Sequence, residues 1–169
     1  MKVAKTQRLT LSKVSIKDAS FMMKLMNTPH WLKYIGDRGI KSIKDAENHI
    51  QKVILQSYNE HRFGFYKVEL KDTLLPIGIC GIIKRPYLKY PDIGFAFLPQ
   101  FEGRGYGYES AMEVLELAKD SFEIMKIGAI TLEMNTNSIK LIEKLGLTFE
   151  KKINPFDNDE ELLLFAKEL

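Results

Sequence analysis

Apolar positions along this chain recur with two different periods, and the change between them predicts where helices and strands lie. Alternating apolar and polar residues predict a strand over residues 8–14. Helical spacing follows over residues 15–26 and 42–57, and each segment opens with a serine followed three residues later by an aspartate, the spacing of a capped helix start. A short helix is predicted from Pro29. The first third of the chain is therefore expected to be mostly helical.

After residue 62 the period is mostly two, which is typical of strands. The predicted strands cover residues 63–70, 76–83, 92–98, 127–134, 147–153 and 161–167. Two helices interrupt them, at residues 108–122 and 138–145, and Gly146 is expected to end the second in a left-handed conformation. This order of elements predicts an α/β fold in a single domain over residues 1–169.

The strand at residues 92–98 differs on its two faces. Asp92, Gly94 and Ala96 share one face, and because two of them are small they leave a trough with a carboxylate at one end. The larger side chains that alternate with them are expected in the core: Ile93, Phe95 and Phe97. Such a trough has room for a substrate, although Asp92 has a simpler explanation as the end of the preceding turn.

A glycine-rich turn joins this strand to the next helix. Its sequence is Gly103-Arg104-Gly105-Tyr106-Gly107-Tyr108. Glycines let backbone N–H groups converge on an anion, and the helix start adds partial positive charge, to which Arg104 can add a full one. The spacing matches neither a P-loop nor the dinucleotide-binding fingerprint. The turn therefore indicates a phosphate-bearing ligand of another kind.

Residues 102–111 resemble motif A of the GNAT superfamily of N-acetyltransferases, and within it the branch of RimJ/RimL-type protein N-terminal acetyltransferases. The resemblance implies a mixed, mostly antiparallel, splayed central sheet flanked by helices, with acetyl-CoA as cofactor. Its pyrophosphate is expected on residues 103–108 and its pantetheine amides on the backbone of Phe97 and Leu98. Glu102 opens this cofactor-binding window where the family usually has Gln or Arg, and we expect its carboxylate to turn outward to solvent.

Residues 135–147 resemble motif B of the same branch. The resemblance places the pantetheine arm and the sulfur beside Asn135 and Ser138; plain capping of the helix by Asn137 or Ser138 is the alternative. Many relatives carry a tyrosine in this helix as general acid for the departing thiolate, and Ile142 occupies the matching position here. The thiolate is then stabilised by Ser138, by water or by the helix N-terminus, or it is protonated from solvent.

Acetyl transfer also needs an acceptor amine and a base for its proton. In histone-type members of the superfamily a Glu base matches the position of Asp92, so the resemblance gives Asp92 this role, through a bridging water if its shorter side chain needs one. Deprotonating a lysine of pKa ~10.4 at pH 7 costs about 4.6 kcal/mol, against about 1 kcal/mol for an α-amine of pKa ~7.8. The acceptor is therefore expected to be a protein or peptide N-terminal α-amine, or a small-molecule amine, attacking the thioester directly.

The acceptor side of the site is expected in the first helices, the loop between them and a neighbouring strand. The polar and aromatic candidates are Trp31, Tyr34, Asp37, Arg38, Tyr66 and Arg85. For Trp31 and Tyr34, the alternative to substrate binding is packing in the core. For Asp37 and Arg38, the alternative is a surface ion pair.

Composition narrows the class of protein further. A net charge of +3 suits an anionic cofactor and does not indicate nucleic-acid binding. No segment has the pattern of a signal peptide or a membrane span, and the single cysteine, Cys80, fits a reducing cytoplasm. The histidines show no metal-ligand spacing, and relatives suggest a monomer or a homodimer. A catalytically weak CoA-binding regulatory protein and a dinucleotide-dependent enzyme remain the competing functions.

Overall fold

The computed structural model of the protein describes residues 1–169. Its strands are β1 (Lys2–Lys5), β2 (Leu9–Lys13), β3 (Phe65–Leu70), β4 (Pro76–Ile83), β5 (Asp92–Phe97), β6 (Lys126–Thr131), β7 (Thr148–Ile153) and β8 (Leu162–Glu168). Its α-helices are α1 (Ala19–Met26), α2 (Ile43–His49), α3 (Gln56–His61), α4 (Tyr106–Asp120) and α5 (Thr136–Lys144). Wider π-helical turns occur at Trp31–Ile35 and Ile50–Leu55, and 3₁₀ turns at Ile16–Asp18 and Pro99–Phe101. None of the helices combines the length and the apolar character that crossing a membrane requires.

The strands form one sheet in the order β1-β2-β3-β4-β5-β6-β8-β7. Neighbouring strands are antiparallel except β5 and β6, which are parallel and pair only at Asp92 and Gly128. Beyond that point β5 and β6 part and the sheet opens. The mixed, mostly antiparallel sheet with helices packed on it confirms the predicted fold class.

The packing of α4 assigns the two faces of the sheet at β5. Cys80 of β4 lies against Ser110 of α4, so α4 covers the face that carries Cys80. Because side chains alternate along a strand, Asp92, Gly94 and Ala96 of β5 point to the opposite face. The trough predicted from the sequence therefore lies on the side of the sheet away from α4.

Local departures from the predicted elements have simple causes. The alternation does not predict β1, which is a short, half-exposed strand at the edge of the sheet. Helix α4 begins at Tyr106, two residues before the predicted start, because Gly105 takes a left-handed φ of +82° and turns the chain into the helix. Gly146 follows α5 with a φ of +90°, in agreement with its predicted role as a helix terminator.

Candidate active site

A cavity of about 980 Å³ lies where β5 and β6 part. The starts of α4 and α5 reach it through Gly107 and Ser138. The helical first third of the chain reaches it through Met22 and His49, and Asp92 lines it from β5. One cavity thus joins the glycine-rich turn to the face of the sheet on which the trough lies.

The backbone of β5 presents free polar groups to this opening. The N–H of Leu98 donates to the carbonyl of Ile77 (2.9 Å) and its carbonyl accepts from the N–H of Phe101 (2.9 Å). Antiparallel pairing alternates, so the N–H and C=O groups of Phe95 and Phe97 point away from β4 and into the opening. Both backbone groups of Leu98 are occupied, and Leu98 is buried and does not line the cavity. The expectation that Leu98 binds cofactor amides is therefore wrong.

Phe95 and Phe97 also differ from the sequence expectation. Both are half-buried and line the cavity, together with Ile93, which alone of the three is buried as expected. They reach the cavity because β6 leaves the edge of β5 uncovered beyond Asp92. The opening between the strands is thus walled by aromatic rings and edged by unpaired backbone.

The glycine-rich turn has the geometry of an anion site. None of the N–H groups of residues 103–108 donates a hydrogen bond within the protein, and the first bond of α4 runs from Glu109 N–H to the Gly105 carbonyl. Gly103 and Gly105 have φ values of +71° and +82°, which only glycine adopts without strain. These six consecutive free N–H groups lie at the positive end of a helix, where the pyrophosphate of acetyl-CoA is expected.

The carboxylate of Glu109 connects this turn to the N-terminal strands. Glu109 accepts hydrogen bonds from the Thr6 hydroxyl (2.6 Å), the Arg8 backbone N–H (2.7 Å) and the Arg8 Nε (2.6 Å). Arg8 in turn donates from Nη1 to the carbonyl of Arg104 (2.9 Å). Partial burial alone raises the pKa of Glu109, but the bonds from Thr6 and Arg8 outweigh it and lower the pKa. Glu109 therefore stays charged and links the N-terminal strands to the turn.

We expect Glu109→Ala to destabilise the protein by about 1–3 kcal/mol, because it leaves three donors without their charged acceptor. It should also weaken CoA binding several-fold, since Arg8 loses its anchor beside the turn. Denaturant unfolding and calorimetric titration with CoA measure the two effects. Glu116→Ala, at an exposed position of the same helix, is the matched control and should change neither quantity. Equal behaviour of the two variants would contradict the role of Glu109.

Two side chains of the turn lie elsewhere than the sequence suggests. The Arg104 guanidinium lies over the ring of Phe101, 5.9 Å from its centroid, and neither Arg104 nor Tyr106 lines the cavity. The Tyr106 ring instead packs under Arg8, whose guanidinium carbon is 4.5 Å from the ring centroid. These two residues contribute backbone N–H groups to the turn. The Arg104 side chain, which was expected to add positive charge to the anion site, does not line the cavity.

Glu102 is exposed, with its side chain 35% accessible to solvent, in agreement with the expected outward direction. Its carboxylate lies 3.0 Å from His30 Nδ1, and both residues line the cavity. The cations on the cofactor side are Lys140 and Lys144, one turn apart on α5, with the Lys144 ammonium 4.3 Å from the Tyr108 ring centroid. The spacing of these two lysines after Ser138 is a signal in the sequence, because residues four apart share a helix face.

The start of α5 forms the second polar wall. Asn135 caps the helix by accepting from the Ser138 N–H (3.3 Å), so Asn135 is the cap, in place of Asn137 or Ser138. Its amide nitrogen makes no hydrogen bond in the protein. Asn135, Asn137 and Ser138 all line the cavity, as does the buried Ile142. The wall offers amide and hydroxyl donors and carries no tyrosine.

Asp92 is the buried carboxylate of the cavity. Its side chain is 1% exposed, and its Oδ1 accepts a hydrogen bond from Arg85 Nε at 2.9 Å. Its Oδ2 is buried without any partner. Burial raises the pKa of Asp92 to about 6 even though Arg85 opposes the shift. The cavity thus holds an acceptor oxygen that is largely ionised at neutral pH and still able to take a proton. Arg85, which was expected on the acceptor side, is thus paired with Asp92.

The raised pKa has a consequence for stability. Because burial raises the pKa of Asp92 from an ordinary 3.8 to about 6, the folded state binds its proton more tightly than the unfolded state. Its contribution is therefore fully present below pH 4 and is lost as the pH rises through 6, by about 3 kcal/mol. We expect the stability of Asp92→Asn relative to wild type to improve by this amount between pH 4 and 7 in denaturant titrations. Parallel stability curves would contradict the buried, ionising state.

The structure brings together only some of the predicted acceptor residues. Trp31, Tyr34 and Arg38 line the cavity with Arg85. Asp37 does not: its carboxylate bonds the Gly39 N–H (2.8 Å) and Lys41 (3.4 Å). It is therefore neither a substrate ligand nor the ion-pair partner of Arg38.

Tyr66 lies outside the cavity. It pairs with Cys80 and therefore points to the α4 face of the sheet, where its ring stacks on Tyr58 at 6.0 Å. Burial raises the pKa of Tyr66 to about 12. The expectation that Tyr66 faces the trough is wrong because the register of β3 and β4 places it on the other face. His49, which the sequence patterns did not single out, lines the cavity beside Arg38.

Comparison with known proteins identifies the family of the protein. The model of the acetyltransferase (GNAT) domain family matches residues 8–148 of the chain. The chain belongs to the GNAT acetyltransferase family. Both the free N–H groups at residues 103–108 and the opening between β5 and β6 fall within the matched region.

Relatives of this GNAT protein cover nearly the whole chain. It is similar to the uncharacterized N-acetyltransferase p20 of Bacillus licheniformis, with 25% identity over 166 residues covering 97% of this chain and 92% of the relative. It is also similar to the uncharacterized N-acetyltransferase YoaA of Bacillus subtilis strain 168, with 23% identity over 152 residues covering 89% and 84% of the two chains.

Solved structures share the fold. The acetyltransferase from Agrobacterium tumefaciens superposes with a TM-score of 0.83 at 21% identity, over 100% of this chain and 95% of the other. RimL, a ribosomal L7/L12 α-N-protein acetyltransferase solved with coenzyme A, gives 0.85 at 15% identity, over 100% and 98%. The family membership makes this protein an acetyl-CoA-dependent acyltransferase, as predicted.

Proposed function

We propose that this GNAT enzyme transfers acetyl from acetyl-CoA to the N-terminal α-amine of a peptide or protein, and that it belongs to the RimJ/RimL-like branch. The observation that carries the proposal is the buried, unpartnered Oδ2 of Asp92 in the cavity. A cytoplasmic location and a monomeric or dimeric state are part of the same proposal, and they rest on the single cysteine and on the resemblance.

The acidity of Asp92 limits which amines it can deprotonate. With the pKa of Asp92 at about 6, an α-ammonium of pKa ~7.8 transfers its proton about two units uphill, and a lysine of pKa ~10.4 more than four. The difference corresponds to about 3.5 kcal/mol, or roughly 400-fold in the concentration of free amine. Asp92 is therefore suited to α-amines, and Arg85 holds its Oδ1 so that Oδ2 is the oxygen presented to the amine.

The cofactor-binding groups follow from the free hydrogen-bond donors and acceptors. Bound acetyl-CoA supplies the thioester whose acetyl group is transferred. The N–H groups of residues 103–108 would hold its pyrophosphate, and the free backbone groups of Phe95 and Phe97 would pair with its pantetheine amides.

The wall at the start of α5 assists thiol departure. Ser138 and the side-chain amide of Asn135 would donate hydrogen bonds near the sulfur. A thiol of pKa ~8.5 is a fair leaving group without a strong acid, so the absence of a tyrosine at Ile142 is compatible with catalysis. This arrangement favours an active enzyme over a CoA-binding protein without turnover.

Thiol release from acetyl-CoA on a panel of amines tests the proposal. We expect short peptide amides with a free α-amine to give the highest kcat/KM at pH 7. Polyamines, aminoglycosides and amino acids blocked at the α-amine should be at least ~100-fold poorer, because their amines have higher pKa values. Tight CoA binding with no turnover on any amine would favour the regulatory alternative, and a polyamine as best substrate would overturn the α-amine assignment.

A further inference from the structure

The acceptor half of the cavity contains more hydrogen-bond donors than the protein uses. Trp31 is 6% exposed, and its indole Nε1–H is buried without a partner. An unpaired buried N–H costs free energy that a bound acceptor oxygen recovers. Trp31 lines the same cavity as Asp92, which holds the other unpartnered buried polar atom of the protein. The cavity is therefore lined by both a buried donor and a buried acceptor that have no partner in the protein.

The charges of the cavity point to the kind of ligand. Two carboxylates line it: Asp92, which is paired with Arg85, and Glu102, whose carboxylate lies 3.0 Å from His30 Nδ1. Arg38, an exposed residue, also lines it and forms no ion pair or hydrogen bond, since the neighbouring Asp37 is bound to Lys41. Arg38 is therefore a cation of the cavity without a partner in the protein.

The position of Arg38 is set by the chain before it. The π-helical turn Trp31–Ile35 closes with the Gly36 N–H donating to the Trp31 carbonyl (2.9 Å), and Arg38 follows in the loop that leaves this turn. Arg38 is near enough to His49 to add to the lowering of that pKa, which burial causes first. His49 is thereby kept neutral, so it adds no second charge but offers a further polar group. Trp31 and Arg38 are carried by one short segment on the same side of the cavity.

We propose that the acceptor peptide carries a carboxylate side chain within its first two residues, which Arg38 binds, while Trp31 donates to the first peptide carbonyl. This inference rests on the proposed α-amine function and deepens it. The α-amine then lies toward Asp92, and the acidic side chain toward the loop at residues 36–39. Arg38 and Arg85, two cations that line the cavity, disfavour a polycation such as a polyamine.

Peptide pairs that differ by one charge test the proposal. Alanyl-glutamyl and alanyl-glutaminyl tetrapeptides, each with an amidated C-terminus, keep the α-amine the same and change only the second side chain. A matched pair with the acidic or amide residue first tests the other position. We expect wild type to prefer the acidic member of at least one pair by about 10–100-fold in kcat/KM, the range of a hydrogen bond to a charged group. The preference should shrink as salt is added.

Variants separate the two contacts. Arg38→Gln should bring the acid-to-amide ratio of kcat/KM close to one. Trp31→Phe should lower kcat/KM for both peptides by about 5–20-fold and keep the ratio. Lys44→Gln removes one positive charge from an exposed position outside the cavity and is the control, with an unchanged ratio. Thermal unfolding with CoA present checks that each variant is folded.

The outcomes distinguish the inferred preference for an acidic peptide from the proposed α-amine function on which it rests. Equal rates of wild type on acidic and neutral peptides would overturn the charge inference and leave the α-amine function standing. A preference that survives Arg38→Gln would also overturn it. No turnover of any peptide, with turnover of another amine, would overturn both.

Discussion

Gly105→Val is expected to lower the affinity for CoA by about 100-fold or more while the protein remains folded. The residue has a φ of +82°, and a Cβ there would lie 3.2 Å from the Nη2 of Arg8. A β-branched residue in this region is strained by at least about 1–2 kcal/mol, and the turn relieves the strain by leaving the left-handed conformation. Doing so disperses the free N–H groups of residues 103–108. Calorimetric titration with CoA measures the loss.

Gly39 provides a control with the same backbone strain. Its φ is +70°, a Cβ added there would have no atom within 4 Å, and the residue does not line the cavity. Gly39→Val should therefore lose similar stability and keep its affinity for CoA. If Gly105→Val binds CoA like wild type, or if both variants lose affinity alike, the turn is not the pyrophosphate site.

Asp92→Asn is expected to lower kcat/KM for an α-amine peptide by about 100–1,000-fold at pH 7, the range of general-base catalysis. Asp92 accepts a proton only when ionised, so wild-type activity rises with pH through its pKa of about 6. That rise should be absent in the variant. The deficit should also narrow at high pH, where the amine is already free. Steady-state kinetics between pH 5 and 9.5 measure both effects.

Arg85 supplies a second test of the same profile. Because Arg85 opposes the rise in the pKa of Asp92, Arg85→Gln should move the rising limb of activity to higher pH without abolishing activity. Asp72→Asn, at an exposed turn, should leave the profile as it is in wild type. A profile of Asp92→Asn that keeps the rising limb would remove Asp92 as the base.

Much of the fold and of the cofactor side could be predicted because local chemistry determines them. Alternation locates seven of the eight strands, and glycine spacing locates the turn whose free N–H groups face the cavity. The small face of β5 follows from the same alternation, since Asp92, Gly94 and Ala96 lie two residues apart. These features depend on residues that are close together in the sequence.

The errors concern contacts between distant parts of the chain. Alternation is compatible with Tyr66 in the trough, but its direction depends on the register of β3 with β4. Leu98 follows the strand as a cofactor-binding residue would, but its N–H is consumed by Ile77. The unpartnered Trp31 N–H and the contact between Glu102 and His30 likewise depend on packing. Periodicity in the sequence carries no information on such pairings.

The central claim is best tested within one molecule that carries both kinds of amine. A peptide amide with an N-terminal alanine, a glutamate in second place and an internal lysine is incubated with the enzyme and acetyl-CoA at pH 7. Tandem mass spectrometry then locates the acetyl group. The buried carboxylate of Asp92 predicts a product acetylated on the α-amine, with the lysine free. A product acetylated mainly on the lysine would contradict the proposed function.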